Sequence, residues 1–321
     1  MQFLAFLMYL PLQILWFPLT LIGVAIVAYR QLIISKRMGV SHTAVEIING
    51  RWAMDVFGLR SDDAARELAG VIANNSVFGL WLTLFPIWAV SRLLGKPFLY
   101  PTLPAPKDAK LANLVPSRTA EFDALIKAKA PSCAQLVILG AGLDTRAYGE
   151  LKASGLAIYE LDERANQAHK IASLSDAGID NAHVRFVPVD FGNANWTEGL
   201  LASDYDPAKT TIFLWEGVTL YLPAKAVGDT LDALKTIAPA GSAVLADIYS
   251  QRFVNMAKGA AVGWSLEMTG EAIKFGLDFS ADAGSTLKRF AADSGVHLGH
   301  HQFLGSSNKH GPFVVIAELI L

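Results

Sequence analysis

The pattern of apolar and polar residues over the second half of the chain predicts alternating strands and helices. Short apolar runs that end in a glycine or an acid occupy residues 136–139, 157–162, 184–191, 211–217 and 242–247. Runs of this kind are typical of parallel strands that are covered on both faces. In one gap, apolar residues at three- and four-residue spacing follow Pro223, which predicts a helix. The pattern therefore predicts βαβ units and a mainly parallel sheet, closed after Gly295 by a β-hairpin at one edge.

The amino end has a different pattern. No charged residue occurs between Gln2 and Tyr29, and this span exceeds the roughly twenty apolar residues that cross a bilayer as a helix. It lacks the basic leader of a signal peptide and is too long for one. Arg30, Lys36 and Arg37 follow it, so the positive-inside tendency places the downstream chain in the cytoplasm. We predict one membrane crossing or a deep re-entrant hairpin over residues 2–29.

A second apolar segment covers about residues 77–94. It contains Pro86 and has Arg92 near its end, which makes it short for a full crossing. An in-plane or half-inserted helix is favoured, with a buried helix of a soluble protein as the alternative. Either membrane arrangement would dock the rest of the chain against the inner leaflet of the cytoplasmic membrane.

The stretch 41–75, between the two apolar segments, mixes apolar and charged residues. It predicts one or two amphipathic helices at the membrane surface or over the mouth of an active site. The prolines between Pro97 and Pro106 predict a linker. The predicted organisation is a membrane-associated helical region over 1–96, a linker over 97–112 and a catalytic domain over 113–321.

Candidate chemistry begins where the first predicted strand breaks into Gly140-Ala141-Gly142. Glycines at this position let the backbone approach a ligand beyond the carboxyl end of the strand. The dinucleotide-binding fingerprint has a third glycine, and this chain has Thr145 at that position. The turn therefore predicts a cofactor site, and it argues against a nicotinamide- or flavin-dependent dehydrogenase.

Acidic residues end the next two predicted strands. Glu160 and Asp162 come about twenty residues after the glycines, where α/β nucleotide-binding sheets place a carboxylate on ribose hydroxyls. Asp190 and Phe191 end the third strand, and this pair suits the amino group and ring face of adenine. Because strands of this kind could simply end in an acid, a purely structural role for Asp190 is the alternative.

Several separated motifs resemble one known family. LVILGAGLDTRAY, YELD, VPVDF and WEGVTLYLP, with SRTAEFDAL upstream and TGEAIKFGLD downstream, look like the leucine carboxyl methyltransferase-like group of class I S-adenosylmethionine-dependent methyltransferases. The resemblance implies a doubly wound, mainly parallel, seven-stranded Rossmann-like α/β sheet, with S-adenosyl-L-methionine as cofactor and S-adenosyl-L-homocysteine as product. Relatives methylate a protein C-terminal carboxylate, a modified tRNA base or small molecules, so the family does not identify the acceptor.

The resemblance also assigns roles to individual residues. Arg118 would meet the carboxylate of the cofactor, for which a planar guanidinium is well suited, and Glu216 would lie near its ammonium group. Tyr221 would contact the methionine end, whereas Asp144 is expected mainly to shape the turn. The full cofactor-binding set is Arg118, Gly140, Ala141, Gly142, Asp144, Glu160, Leu161, Asp162, Asp190, Phe191 and Glu216.

Methyl transfer from a sulfonium is an in-line displacement, so alignment and exclusion of water are the main requirements. A carboxylate acceptor needs no general base, whereas a hydroxyl is helped by one. The histidines near the carboxyl end, at positions 297, 300, 301 and 310, are the nearest candidates by sequence. We take Glu216, Tyr221 and His301 as the candidate catalytic residues. No metal site is expected, because no second ligand cluster accompanies these histidines.

Composition and charge bear on the domain organisation, the binding partners and the cellular compartment of the protein. With 321 residues, 52% of them hydrophobic, the chain holds one catalytic domain and an accessory membrane region. The net charge of −2 gives no general reason to expect nucleic acid, and the single Cys133 fits a reducing cytosol.

Trp264 and Phe275 are expected either to line a substrate pocket or to fill the core of a lid.

These observations lead to one functional hypothesis with an alternative. The hypothesis is a membrane-attached O-methyltransferase that acts on a lipophilic small molecule, with a carboxylic acid favoured over a hydroxyl. The alternative is a membrane-bound cofactor-binding or scaffold protein without transfer activity. The amino-terminal helices could also pack between subunits of a homo-oligomer.

Overall fold

The computed structural model describes residues 2–191, 195–259 and 272–321. Its centre is a seven-stranded sheet in the order β3-β2-β1-β4-β5-β7-β6. The strands are β1 (Gln135–Leu139), β2 (Ala157–Asp162), β3 (Val184–Pro188), β4 (Thr211–Trp215), β5 (Ala243–Tyr249), β6 (His297–Leu304) and β7 (Val314–Ile320). Strands β1 to β5 pair in parallel, and β7 pairs antiparallel with both of its neighbours. The predicted doubly wound, mainly parallel sheet with a closing hairpin is confirmed.

The helices α1 to α5 precede the sheet. They are α1 (Gln2–Ala28), α2 (Ser35–Met38), α3 (Thr43–Val56), α4 (Asp63–Val71) and α5 (Val77–Leu94), with a π-helical segment at Tyr29–Ile34 after α1. The later helices are α6 (Leu114–Lys129), α7 (Arg164–Asp176), α8 (Trp196–Leu201), α9 (Ala224–Ile237), α10 (Gln251–Ala257) and α11 (Ala283–Asp293).

Two apolar cores cover the two faces of the sheet. One core packs α8, α9 and α11 against alternate residues such as Val137 and Phe213, and the other packs α6 and α10 against Leu136 and Ile212. Successive residues of a strand point to opposite faces, so a strand covered on both sides must be apolar throughout. This is why every residue of β1 and β4 is buried.

Strand boundaries differ slightly from the sequence prediction. The third strand ends at Pro188 rather than at residue 191, because the chain leaves the ladder after the Val189 N–H bonds to the Asp162 carbonyl at 2.9 Å. Helix α9 begins one residue after Pro223, which is its N-cap. The early end of β3 places Asp190 and Phe191 in a loop beyond the carboxyl edge of the sheet.

A third apolar core joins the amino-terminal helices to the sheet domain. Val45, Ile48 and Trp52 of α3 pack with Leu68 of α4, and with Leu143 from the loop after β1. Leu174 of α7 completes the same cluster. Helix α3 therefore lies over the carboxyl edge of the sheet, as one of the two sequence interpretations of residues 41–75 predicts.

Within the described ranges, two helices are long and apolar enough to cross a membrane, by length and composition alone. They cover Phe3–Met38 and Val77–Leu94, and only 6% and 28% of the most apolar 18-residue window of each is buried inside the protein. The two helices pack against each other, with the Trp16 and Phe85 rings 4.6 Å apart. They form an antiparallel apolar pair on the outside of the molecule, named here the α1–α5 hairpin although α2 to α4 lie between them in the chain.

Candidate active site

One cavity opens at the carboxyl edge of the parallel strands. Its volume is about 950 Å³. Residues from the ends of β1, β2 and β4 and from the loop after β3 line one side, and residues 35–47 with Arg51 line another. Ligands of open α/β sheets bind in the crevice outside these strand ends. The cavity therefore brings together most of the residues that the sequence singles out.

The glycine turn after β1 forms the floor of this cavity. Gly140 and Gly142 adopt φ values of 67° and 44°, which favour glycine. A Cβ on Gly140 would lie 2.6 Å from Val218 Cγ2, and one on Gly142 would lie 3.2 Å from Ala44 Cβ. The turn passes so close to its neighbours that side chains at these two positions would have to displace them.

Asp162 reaches the cavity, whereas Glu160 does not. The Gly142 N–H donates to Asp162 Oδ2 at 2.5 Å, and Asn166 Nδ2 donates to Asp162 Oδ1 at 3.0 Å. These bonds hold the carboxylate at the cavity wall. Glu160 is fully buried away from the lining and accepts from Lys170 Nζ at 2.5 Å. Burial raises the pKa of Glu160 despite this lysine, and Leu161 is likewise buried outside the lining.

Asp190 and Phe191 lie at the rim of the same cavity. Asp190 is exposed there, and the Phe191 ring packs 5.2 Å from the Trp196 ring. A carboxylate beside an aromatic face can accept from an amino group while the ring contacts a planar base. Their position fits the predicted role, which stays a prediction.

Three arginines surround Glu216 at the end of β4. Arg146 Nη1, Arg118 Nε and Arg51 Nη2 lie 2.6, 3.2 and 3.3 Å from its carboxylate oxygens. Burial disfavours ionisation, but the three guanidiniums outweigh it and hold the pKa of Glu216 below its usual value. Glu216 is therefore an ionised acceptor of hydrogen bonds and a poor general base. The same arginines Arg146 and Arg51 bind Asp144, whose pKa they lower well below its usual range against the effect of burial.

Arg118 also contacts two groups of β5. Its Nη1 donates to Asp247 Oδ2 at 3.1 Å and to the Tyr249 hydroxyl at 2.5 Å. Burial raises the pKa of Asp247 to about 6, even though Arg118 and the Gly217 N–H favour its charged form. Arg118 thus lies in the cavity wall with a fixed orientation.

Two arginines in the cavity wall have N–H groups that are not hydrogen-bonded within the described part of the chain. Among the residues that the structure describes, no partner binds the buried Nη2 of Arg118 or the buried Nε of Arg51, and both arginines line the cavity. A buried unpaired N–H of a guanidinium is unfavourable unless a ligand completes it. The carboxylate of an amino-acid-containing cofactor fits this requirement at Arg118.

Some predicted residues lie elsewhere. Tyr221 lines the cavity, but His301 does not. His301 belongs to β6, the outermost strand, where its Nδ1 lies 3.1 Å from the Gly299 carbonyl and its ring packs on Phe303. Phe275 is buried in the core beside Phe290 and does not line the cavity, and Trp264 lies outside the described residues. In the described ranges, no group of three His, Cys, Asp or Glu side chains is placed to hold a metal ion.

Sequence reasoning missed Arg51. The residue belongs to α3, and it reaches Asp144 and Glu216, which are 93 and 165 positions further along the chain. Its side chain is only 1% exposed. The one available signal was an arginine between apolar residues of a predicted amphipathic helix, and that pattern is equally typical of a membrane surface.

Comparisons with known proteins relate part of this chain to methyltransferases. Residues 100–235 match the family model described as leucine carboxyl methyltransferase. A proposed S-adenosyl-L-methionine-dependent methyltransferase of Mycolicibacterium smegmatis is 33% identical over 159 residues, which cover 49% of this chain and 53% of that protein. A similarly described protein of Mycolicibacterium vanbaalenii is 32% identical over 166 residues, or 50% and 52% of the two chains. The chain spans about half the length of these curated relatives.

Solved structures match part of the chain at low identity. An O-methyltransferase family protein from Burkholderia thailandensis superposes with a TM-score of 0.41 and 14% identity, over 65% of this chain and 60% of that one. The sequence matches therefore carry the comparison: residues 100–235, which contain the glycine turn, Asp162 and Glu216, are similar to leucine carboxyl methyltransferases.

Proposed function

We propose that this protein is an S-adenosyl-L-methionine-dependent methyltransferase. The observation that carries the proposal is the convergence, in one cavity, of the glycine turn, the fixed Asp162 carboxylate and the incompletely bonded Arg118 guanidinium. Asp162 would accept from the ribose hydroxyls, and Asp190 with Phe191 would hold the adenine. Arg118 would bind the carboxylate of the amino-acid end, while Glu216 would accept from its ammonium group.

The chain's residues would act mainly by position. When bound, the sulfonium supplies a methyl group that is transferred to an acceptor oxygen, and the electron pair of the broken carbon–sulfur bond stays on sulfur as a thioether. The two acids of this cluster, Glu216 and Asp144, have lowered pKa values and are paired with Arg146, so neither is a strong base. A carboxylate acceptor needs none, because it is already a nucleophile. This favours transfer to a carboxylate over transfer to a hydroxyl.

The acceptor would be lipophilic. The part of the cavity around Arg118 is walled by Leu114, Val115, Phe253 and Ile273. Apolar walls beside cationic side chains suit an apolar molecule that ends in an acid. Arg51, whose Nε also lacks a partner among the described residues, could bind such an acid while Arg118 holds the cofactor.

Membrane attachment would supply this acceptor. Residues 35–47 line the cavity and follow α1 and its π-helical extension almost directly. The cavity therefore opens close to the carboxyl end of α1. A molecule dissolved in the bilayer could reach the cavity along this short path without crossing bulk water.

The test is transfer of a labelled methyl group. The full chain, purified in detergent, is incubated with methyl-labelled S-adenosyl-L-methionine and a lipid extract of the membrane. We expect label in an organic-soluble product and its release by mild alkali, since methyl esters hydrolyse under conditions that leave methyl ethers intact. Label found only in water-soluble material would contradict a lipophilic acceptor, and an alkali-stable product would contradict a carboxylate.

A further inference from the structure

We propose that the α1–α5 hairpin binds one leaflet of a lipid bilayer in the plane of the membrane, and that neither helix crosses it. This inference rests on the membrane attachment proposed above but not on methyl transfer. It replaces the single crossing that the sequence allows for residues 2–29. The argument depends on where the ends of the two helices are held.

The two helices run antiparallel and in close contact. At one end, Phe6 of α1 packs 5.3 Å from Phe98, which follows α5. In the middle, Trp16 Nε1 donates to the Leu82 carbonyl at 2.9 Å. Near the other end, a Cβ on Gly23 would lie 2.6 Å from the Gly79 carbonyl oxygen. This close approach of backbones, at a pair of small residues, fixes α1 along the whole of α5.

Both ends of α5 are attached to the same body of the protein. Before α5, Asn74 Oδ1 lies 3.0 Å from His169 Nε2 of α7. After α5, the Phe98 N–H donates to Ser91 Oγ at 3.0 Å, and Tyr100, two residues later, packs in the core shared by α3 and α4. Asn113 Nδ2 at the start of α6 then donates to Thr102 Oγ1 at 3.2 Å.

These attachments are incompatible with a crossing by α5. Its 18 residues span about 27 Å, close to the thickness of the hydrocarbon layer. If α5 stood across the bilayer, its two ends would lie on opposite sides, yet both contact the domain that carries the cavity. Helix α5 therefore lies along the surface of that domain. Helix α1, packed along α5, must lie parallel to the same surface.

The outer side of α1 is an exposed apolar face. Residues at three- and four-residue spacing along the helix are exposed by about half or more: Phe3 78%, Leu7 55%, Leu10 56%, Ile14 64%, Phe17 52%, Leu21 54% and Val24 50%. Leu15 is 81% exposed beside this row. A face of this length without charge is far larger than the apolar patches of ordinary soluble surfaces.

The charges around the hairpin favour a lipid surface as its occupant. Arg30, Lys36 and Arg37 follow α1, and Arg92 and Lys96 lie at the end of α5, so basic residues stand at both ends of the apolar face. Anionic headgroups attract basic residues that border an inserted apolar face. If a second copy of the chain packed antiparallel on this face, the basic residues of the two copies would lie close together and repel each other. These residues would therefore not stabilise such a dimer.

Side-specific labelling tests the inference. In a Cys133→Ser background, single cysteines are placed ahead of Met1 on a short Gly-Ser linker, at Lys96 and, as a marker of the body, at exposed Lys288 of α11. Inside-out and right-side-out vesicles of the expressing cells are treated with a membrane-impermeant maleimide. We expect all three cysteines to react from the same, cytoplasmic side. Reaction of the amino-terminal cysteine from the opposite side only would show that α1 crosses and would overturn the proposal.

Vesicle binding supplies a second measurement. The purified protein, moved from detergent to liposomes of phosphatidylethanolamine and phosphatidylglycerol, should float with them, and Leu15→Glu should reduce this binding about tenfold or more. Ile171→Glu, a matched change at an exposed apolar residue of α7, should leave it unchanged. If the protein instead forms a stable dimer that ignores liposomes, the second copy is the occupant and the proposal is wrong. Binding of S-adenosyl-L-homocysteine by Leu15→Glu is measured in parallel, so that failure of the membrane inference is distinguished from failure of the cofactor site.

Discussion

Arg51 Nη2 lies 2.8 Å from Asp144 Oδ2, and this contact joins helix α3 of the amino-terminal region to the loop after β1. Both side chains are buried, with exposed fractions of 1% and 8%. The pair closes the cavity from the side opposite the sheet. The amino-terminal region is thus part of the candidate site.

Loss of Arg51 should therefore affect both stability and binding. In Arg51→Ala, Asp144 keeps Arg146 but loses a buried partner, and we expect a decrease of about 3 kcal/mol in the free energy of unfolding. Affinity for S-adenosyl-L-homocysteine should also fall, because α3 would no longer be fixed over the glycine turn. Arg66→Ala on α4 is the control, since the Arg66 side chain is 49% exposed and does not line the cavity. Equal effects of the two substitutions in thermal unfolding and calorimetry would contradict this role.

Gly140→Ala should abolish cofactor binding. The left-handed backbone at this position is unfavourable for alanine. The new Cβ would also lie only 2.6 Å from Val218 Cγ2. Gly155→Ala is a matched control, because its φ is 78° and a Cβ there would have no neighbour within 4 Å. We expect about 1–2 kcal/mol of destabilisation in Gly155→Ala from the backbone alone, with cofactor binding intact. If both variants bind S-adenosyl-L-homocysteine like the wild type, the turn is not part of the binding site.

The two acids of β2 should have separable roles. Asp162→Asn should weaken nucleoside binding by about 10- to 100-fold, as expected when hydrogen bonds to a charged acceptor are lost. Glu160→Gln should instead destabilise the fold, because it leaves the buried Lys170 without its carboxylate. Competition with adenosine and thermal unfolding distinguish the effects. The opposite assignment, with Glu160 governing affinity, would show that the buried carboxylate reaches the ligand.

Asp247 should make stability depend on pH. Its pKa of about 6 in the folded protein is higher than the value near 3.9 of an unfolded chain. The folded state therefore binds a proton that the unfolded state releases, and the stabilisation present below about pH 4 is lost as pH rises through 6. The loss is on the order of 3 kcal/mol. Asp247→Asn cannot titrate, so the stability difference between it and the wild type should change by this amount between pH 4 and pH 8. A difference that is constant with pH would contradict the raised pKa.

The sheet could be predicted from the sequence because its signal is local. The apolar runs of β1 and β4 are buried on both faces, and each ends where glycine or acid begins the cavity wall. The positions of Gly140, Asp162 and Glu216 follow directly, since parallel strands bring their carboxyl ends to one edge.

The remaining parts of the site depend on contacts between distant segments. Arg51 was missed because no local pattern shows that α3 folds over the loop after β1, 93 residues away. His301 was proposed only from its position in the chain, and strand order places it on the outermost strand. Glu160 and Asp162 are two residues apart on one face of β2, so only the neighbouring Lys170 and Gly142 show which carboxylate is buried and which faces the cavity.

Binding of S-adenosyl-L-homocysteine to the purified full chain tests the central claim most directly. In titration calorimetry we expect one molecule bound per chain, no comparable heat with NAD, and a loss of about tenfold or more in Arg118→Met, because the incompletely bonded guanidinium would no longer meet the ligand carboxylate. Absence of binding and of thermal protection in the wild type, with Gly140→Ala behaving identically, would contradict the assignment of this cavity to a methyl donor.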